Sequence, residues 1–277
     1  MITDIHTHLI NSAELGDRLI ADMTRCGINT AVWSYTEEDY LSGTSAADKV
    51  IVFGLKAPRT GWNCSNDYVY DFVKRHSEKY IYFASIDPSQ ADYMDDLIYN
   101  HTVLKCAGVK IGAVYQGIHP CDKRCYEIYA YCRKHNLSII THNATTFSSG
   151  VPIDYARPYH MDTVSCDFPD LKIVLAHLGH PWEGETLAII RKQENVYADL
   201  SALYYRPWQF YNSIMLACEY GCYNKILFGS DYPATTTADS INGIRNMNNI
   251  VKNTGLPQIP SEVIESIINR NALEMLK

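Results

Sequence analysis

Asp4-Ile5-His6-Thr7-His8 stands near the start of the chain, in Met1-Ile-Thr-Asp-Ile-His-Thr-His-Leu9. If Met1–Ile5 is an extended strand, alternate side chains share a face, and His6 and His8 point the same way. Two imidazoles side by side at a strand end are half of a metal site, because zinc and its neighbours favour nitrogen ligands. On its own the motif reads more readily as two surface histidines near a terminus. The rest of the chain has to supply the other ligands.

Working outward, strand-like and helix-like segments alternate. Residues 14–26 have helical apolar spacing, and Gly27 follows as a stop. Residues 28–34 (INTAVWS) and 49–54 read as strands, with a polar stretch between them. A Gly/Pro loop precedes a helix from about 66 to 78, and 80–86 (YIYFASI) is a buried strand. Further strands are predicted at 108–111, 137–141, 171–176, 195–200 and 224–229. The helices between them run over 90–103, 122–135, 158–167, 182–193 and 207–220, and two more near 237–252 and 261–276 close the chain. This alternation predicts a parallel sheet with crossover helices. With the first strand there are nine candidates. Eight make an α/β barrel of the (β/α)8 TIM type, and 49–54 is read as the spare strand. The expected organisation is one barrel domain over 1–277, with an excursion near 35–66 and C-terminal helices over 237–276. An open doubly wound sheet would usually bring a Gly-rich phosphate loop, and none is seen.

In such barrels the active site forms at the strand C-terminal ends. His6 and His8 end the first strand, and Lys110 lies in Gly108-Val-Lys-Ile-Gly112. His142 ends Leu137-Ser-Ile-Ile-Thr-His142, His177 ends Lys172-Ile-Val-Leu-Ala-His177, and Asp231 follows Ile226-Leu-Phe-Gly-Ser-Asp231. Each has an ordinary alternative. A strand-end histidine can be structural, Asp231 can cap a helix, and Lys110 can pair with a carboxylate. Barrel closure would aim all of them at one axial point, so the combination predicts a metal site.

These residues also resemble a known family. Asp4-Ile-His-Thr-His8, Gly108-Val-Lys-Ile111, Thr141-His142, Ala176-His-Leu-Gly179, Phe228-Gly-Ser-Asp-Tyr-Pro233 and Asn271-Ala272-Leu273 are similar, in order, to the amidohydrolase superfamily. More narrowly, they resemble the amidohydrolase-related branch that includes aminocarboxymuconate-semialdehyde decarboxylase. The resemblance implies one divalent metal, zinc first with Mn or Fe as alternatives, held by His6, His8, His142 and Asp231. Asp231 and His177 are then the expected catalytic residues. Lys110 is implied as a carboxylated bridge in a binuclear site or as a substrate contact, and His177 as a possible second-metal ligand. A homodimer is also implied.

Two departures from the family pattern bear on the pocket. His180 stands three residues beyond His177, and Asn143 follows His142 where a small residue is common. Further substrate-binding candidates on the loops are Arg59, Trp62, Tyr115, Arg157, Trp182, Tyr204 and Arg206, with Gln116 and Tyr205 beside them. Arginine suits a carboxylate, and aromatic rings suit a planar substrate.

The expected function is therefore a metal-dependent hydrolase that attacks a lactone, amide or ester through a metal-bound water. A non-oxidative decarboxylase of an unsaturated or aromatic acid is the alternative, and a non-catalytic metal-binding barrel the remote one. The expected partner is a small carboxylate-bearing molecule. A net charge of −7 with no dense Lys/Arg cluster argues against nucleic-acid or anionic-membrane binding. No apolar run approaches a membrane span, and there is no signal-peptide pattern. Nine cysteines without a disulfide rhythm read as free thiols in a cytoplasmic protein.

Overall fold

The computed structural model describes residues 1–277. Eight parallel strands form one ring. They are β1 (Thr3–His8), β2 (Lys49–Phe53), β3 (Tyr80–Ser85), β4 (Gly108–Ile111), β5 (Ser138–Thr141), β6 (Ile173–Leu175), β7 (Val196–Asp199) and β8 (Ile226–Leu227). Each strand pairs with its successor in the chain. The Ile5 amide donates to the Phe228 carbonyl at 3.1 Å and the Asp231 amide to the His6 carbonyl at 2.8 Å, which joins the last strand to the first. The architecture is the expected TIM barrel.

One strand assignment is corrected. Residues 49–53, read above as the spare, are β2, paired in parallel with β1 and β3. Residues 28–34 form no strand. Asn29 accepts a hydrogen bond from the Ala31 amide at 3.1 Å and starts a 3-10 turn, Thr30–Trp33. That side-chain bond gives the backbone an alternative to a ladder. The β2 run KVIVF is apolar throughout because both of its faces are covered. Val50 and Val52 face the outer layer, whereas Ile51 and Phe53 face the barrel interior.

The outer layer is helical. Helices Asn66–Arg75, Tyr93–Thr102, Lys123–Lys134, Tyr159–Asp167, Glu183–Lys192 and Pro207–Glu219 follow β2 to β7 in turn. The predicted final helices are both interrupted. Thr237–Arg245 passes into a 3-10 turn, and Ser261–Ile268 is separated from Ala272–Met275. The largest apolar cluster lies between strands and helices. Inside the ring, Ile5, Ile51, Phe83, Ile140, Val174 and Leu227 fill the lower barrel, with Ala272 and Leu276 packed against them. A third cluster, including Leu19, Trp33, Leu55, Trp62 and Tyr115, packs the excursions that follow β1 and β2. None of these helices is long and apolar enough to cross a membrane.

β1 is not a regular strand. Asp4 pairs with Val50 but Thr7 with Val52, so three steps on β1 oppose two on β2. Such a bulge re-aims side chains. Here Ile5 joins the interior cluster while His6 also turns inward, its ring edge-on to Phe53 at 5.0 Å.

Candidate metal centre and cavity

The inward side chains at the strand C-terminal ends converge. His6 Nε2 lies 3.4 Å from Asp231 Oδ1, and His8 Nε2 lies 3.5 Å from the same oxygen. Ligands about 2.1 Å from a tetrahedral ion stand roughly 3.4 Å apart, so each nitrogen already stands at ligand spacing from the carboxylate, and all three ligand atoms lie within 4.8 Å of one another. Burial pushes the His6 imidazole well below its ordinary pKa and lowers that of His8, which keeps both rings in the neutral, ligating form. The donor set of two imidazoles and a carboxylate fits a divalent transition ion.

His6 is oriented from behind. Its Nδ1–H donates to Asp199 Oδ2 at 2.8 Å, leaving the Nε2 lone pair for the cavity side. This is the carboxylate–histidine arrangement that supports metal ligands. Asp199 Oδ1 accepts from the backbone amides of His177 (2.9 Å) and Ser201 (3.0 Å) and from the Ser201 hydroxyl. Asp199 is thereby saturated as an orienting group. With its proton on Asp199, Ser201 Oγ accepts from His177 Nδ1–H at 2.7 Å. His177 Nε2 then faces His142 Nδ1 at 3.1 Å.

His142 stands beside the His6, His8 and Asp231 trio rather than within it. Its Nε2 approaches the Thr145 carbonyl at 3.2 Å, and Tyr115 packs edge-on against the ring at 4.8 Å. Burial, reinforced by Lys110, lowers its pKa to about 3. Lys110 Nζ donates to His6 Nε2 at 3.2 Å and sits 4.7 Å above the Phe53 ring. Burial lowers its pKa to about 8 against the pull of Asp199 and Asp231. An ammonium therefore faces the lone pair that would otherwise meet an ion.

The backbone at these strand ends is unusual. His177 (φ 59°), Ala202 (φ 60°) and Asp231 (φ 63°) all lie in the left-handed region. Each such residue costs of order 1–3 kcal/mol, and the type clusters at functional sites. Asp231 is no helix cap, because Thr236 caps the helix that follows.

Above the trio lies a cavity of about 750 Å³, with His8, Lys110, His142, His177, His180 and Asp231 among its polar lining. Trp33, Trp62, Tyr115, Phe147 and Tyr205 supply aromatic walls, and Arg206 a cation. Of the substrate candidates, Trp62, Tyr115, His180 and Arg206 reach this space. Arg59 does not: it is exposed, with its side chain beside Gly117. Arg157 is bound by Glu185. The Tyr204 hydroxyl donates to the Gly229 carbonyl at 2.6 Å, a packing role. Trp182 is half-buried against the excursion cluster, and Asn143 is fully buried behind the lining. Gln116 ties the Lys56 and Ile86 carbonyls together.

The sequence reading missed Asp199, Ser201, Trp33 and Phe147. Asp199 was within reach, because it ends the strand at 195–200 as the other site residues end theirs. Trp33 and Phe147 carry no local signal, since only tertiary packing brings their loops over the barrel mouth.

The fold is a TIM barrel, and this cluster is a candidate metal centre at its strand C-terminal ends. The chain belongs to the amidohydrolase family, whose sequence model matches residues 3–277. Membership implies a divalent metal. Among solved structures, an uncharacterised TIM-barrel protein of Bordetella bronchiseptica is 20% identical with a TM-score of 0.75, over 99% of this chain and 98% of that one. The 5-carboxyvanillate decarboxylase of Sphingomonas paucimobilis is 13% identical with a TM-score of 0.68, again over 99% and 98%. A probable 2-pyrone-4,6-dicarboxylic acid hydrolase of Acinetobacter baumannii, with citric acid bound, is 14% identical with a TM-score of 0.68, over the same shares. No curated protein matches.

Proposed function

We propose that this protein is a divalent-metal-dependent hydrolase of a small, planar, carboxylate-bearing lactone, amide or ester. One observation carries the reading. His6 Nε2 and His8 Nε2 each stand at ligand spacing from Asp231 Oδ1 on the floor of an aromatic-walled cavity that is also lined by Lys110 and Arg206. His6, His8 and Asp231 would hold the ion, with His142 turning its ring to join them, and zinc is the first choice for so nitrogen-rich a set. A bound divalent ion supplies Lewis acidity and brings the pKa of water down to about 7.

The chain's own residues do the rest. Asp231 keeps its carboxylate 14% exposed toward the cavity, where it can take a proton from attacking water. His177 is held as the Nδ1–H tautomer by Ser201, so its Nε2 serves as an acceptor at the floor. Lys110 and Arg206 attract the substrate carboxylate, while Trp62, Tyr115 and Phe147 sandwich the planar body and exclude water. The uniformly free cysteines support a reducing, cytoplasmic setting.

Decarboxylation of a planar acid is the second reading. It is favoured by the same cations and aromatic walls, and by the 5-carboxyvanillate decarboxylase likeness. A panel of planar lactones, esters and aromatic acids separates the two, with acid release followed by pH-stat and CO₂ trapped in parallel. Acid production from a lactone or ester without CO₂ supports hydrolysis. CO₂ from an acid, with no hydrolytic turnover, overturns it in favour of the second reading.

A further inference from the structure

Outside the barrel mouth a second group of metal-binding side chains comes together. His119, from the loop after β4, meets Asp154 and His160, from the segment after β5, and their ligand atoms lie within 4.8 Å of one another. His160 Nε2 donates to Asp154 Oδ2 at 3.0 Å, and the two imidazole rings cross edge to face at 4.3 Å between centroids. The His160–Asp154 pair is an ordinary charge contact. His119 is not accounted for by it: this ring has no acidic hydrogen-bond partner of its own and is pressed against another histidine. Burial first, and His160 second, lowers its pKa, so it presents a neutral ring beside the pair. Two segments more than thirty residues apart in sequence thus bring two imidazoles and a carboxylate to one point.

We propose that His119, Asp154 and His160 form a second divalent transition-metal site, separate from the barrel centre, with water completing the shell. The chemistry selects Zn²⁺, Ni²⁺ or Cu²⁺ over Ca²⁺ and Mg²⁺, because two of the three ligands are imidazoles. Binding replaces the His160 proton with the ion. His119 Nδ1 now accepts from the Cys121 amide at 3.0 Å. Ligation through Nε2 moves the ring proton to Nδ1 and gives up that one bond. Asp154 is exposed on a 3-10 turn, Ile153–Ala156, and is free to swing the remaining distance.

The placement gives the site a consequence. Asp154 and His160 sit at the far end of the segment that begins at His142 and carries Thr145, Thr146 and Phe147 into the cavity wall. His119 belongs to the neighbouring loop. An ion bridging them fastens one loop to the other and limits how far the cavity wall can move.

Chelator-stripped, full-length protein is titrated with Zn²⁺ in competition with a chromophoric chelator. Wild type, His119→Ala, Asp154→Asn and a His6→Ala/His8→Ala double variant are compared, each checked for folding by circular dichroism. The proposal expects two equivalents in wild type and one in His119→Ala. The barrel double variant keeps one equivalent, and Asp154→Asn binds its outer ion at least tenfold more weakly. Zinc-edge anomalous scattering places that ion between His119 and His160, and amide exchange over residues 150–162 slows on zinc addition. Equal stoichiometry in folded wild type and His119→Ala overturns the site. Zinc bound there without slower exchange overturns the fastening role. The outcome is independent of whether the barrel centre hydrolyses or decarboxylates.

Discussion

His6 is held at both ring nitrogens, and that decides which one faces the cavity. Asp199 accepts the Nδ1–H hydrogen bond at 2.8 Å, so the Nε2 lone pair faces the cavity, with Lys110 Nζ at 3.2 Å and Asp231 Oδ1 at 3.4 Å. Asp199→Asn replaces an anion with an amide and weakens this orientation. Loss of such supporting contacts costs roughly 10–100-fold in metal affinity. Chelator competition on Asp199→Asn at fixed pH is expected to show a loss in that range, with the fold retained. His180 allows a pH prediction. Burial, helped by Arg206, lowers its pKa to about 4 from 6.5. Between those values the unfolded chain binds more protons than the folded one, so stability is full above pH 6.5 and falls as the pH drops toward 4. The change amounts to at most about 3 kcal/mol. Denaturant unfolding of His180→Gln from pH 4 to 7 is expected to show a shallower acid limb than wild type, by up to that amount.

At the scale of elements, the junction of β8 with β1 carries most of the site. A Cβ on Gly229 would stand 2.8 Å from the Cβ of His6, closer than side chains pack, so only glycine lets the two strands approach. Asp4, behind the bulge, accepts from the Ser230 amide at 2.9 Å and from the Thr237 hydroxyl at 2.7 Å, pinning the loop that carries Asp231. Gly229→Ala is expected to destabilise by about 1–3 kcal/mol through overpacking. It should also lower metal content, and thermal melts with elemental analysis check both. The β7 segment ends differently, in Ala202 at φ 60° followed by Arg206 at the cavity. Charge-assisted hydrogen bonds contribute about 1.5–3 kcal/mol, so Arg206→Ala should raise KM roughly tenfold or more on any carboxylate substrate. Steady-state kinetics with kcat little changed would mark a binding role.

For the whole molecule, the question is whether the ion holds the fold or only serves the site. The barrel has an apolar interior, a larger layer beneath the helices and a third cluster under the excursions, an apolar core large enough to hold the fold by itself. Chelation is therefore expected to abolish activity while leaving a cooperative melt. Ligand linkage at a thousandfold excess over Kd contributes about 4 kcal/mol, and a chain of this size loses roughly 2–4 °C of Tm per kcal/mol. A Tm lower by about ten degrees in the stripped protein, with an unchanged circular dichroism spectrum at 25 °C, is the expected result. Unfolding at 25 °C on chelation would instead mark a structural ion and favour the non-catalytic reading.

The sequence by itself determined the ring and its polar ends. Period-two and period-3.6 patterns are local, and each strand of a barrel ends at the same face, so His6, His8, Lys110, His142, His177 and Asp231 could be read as one cluster from the runs that precede them. Strand choice near the start was less legible. INTAVWS and KVIVF have similar β character, and the Asn29 turn that disqualifies the first is a side-chain bond that propensity does not register. Only the tertiary structure chose among the loop residues. Arg59, Arg157 and Arg206 look alike in sequence, yet Arg157 is taken by Glu185, Arg59 is exposed beside Gly117, and Arg206 alone reaches the cavity. Loop directions depend on contacts between segments far apart in the chain. For the same reason the aromatic wall of Trp33 and Phe147, and the meeting of His119 with Asp154 and His160, were decided by packing rather than by any local pattern.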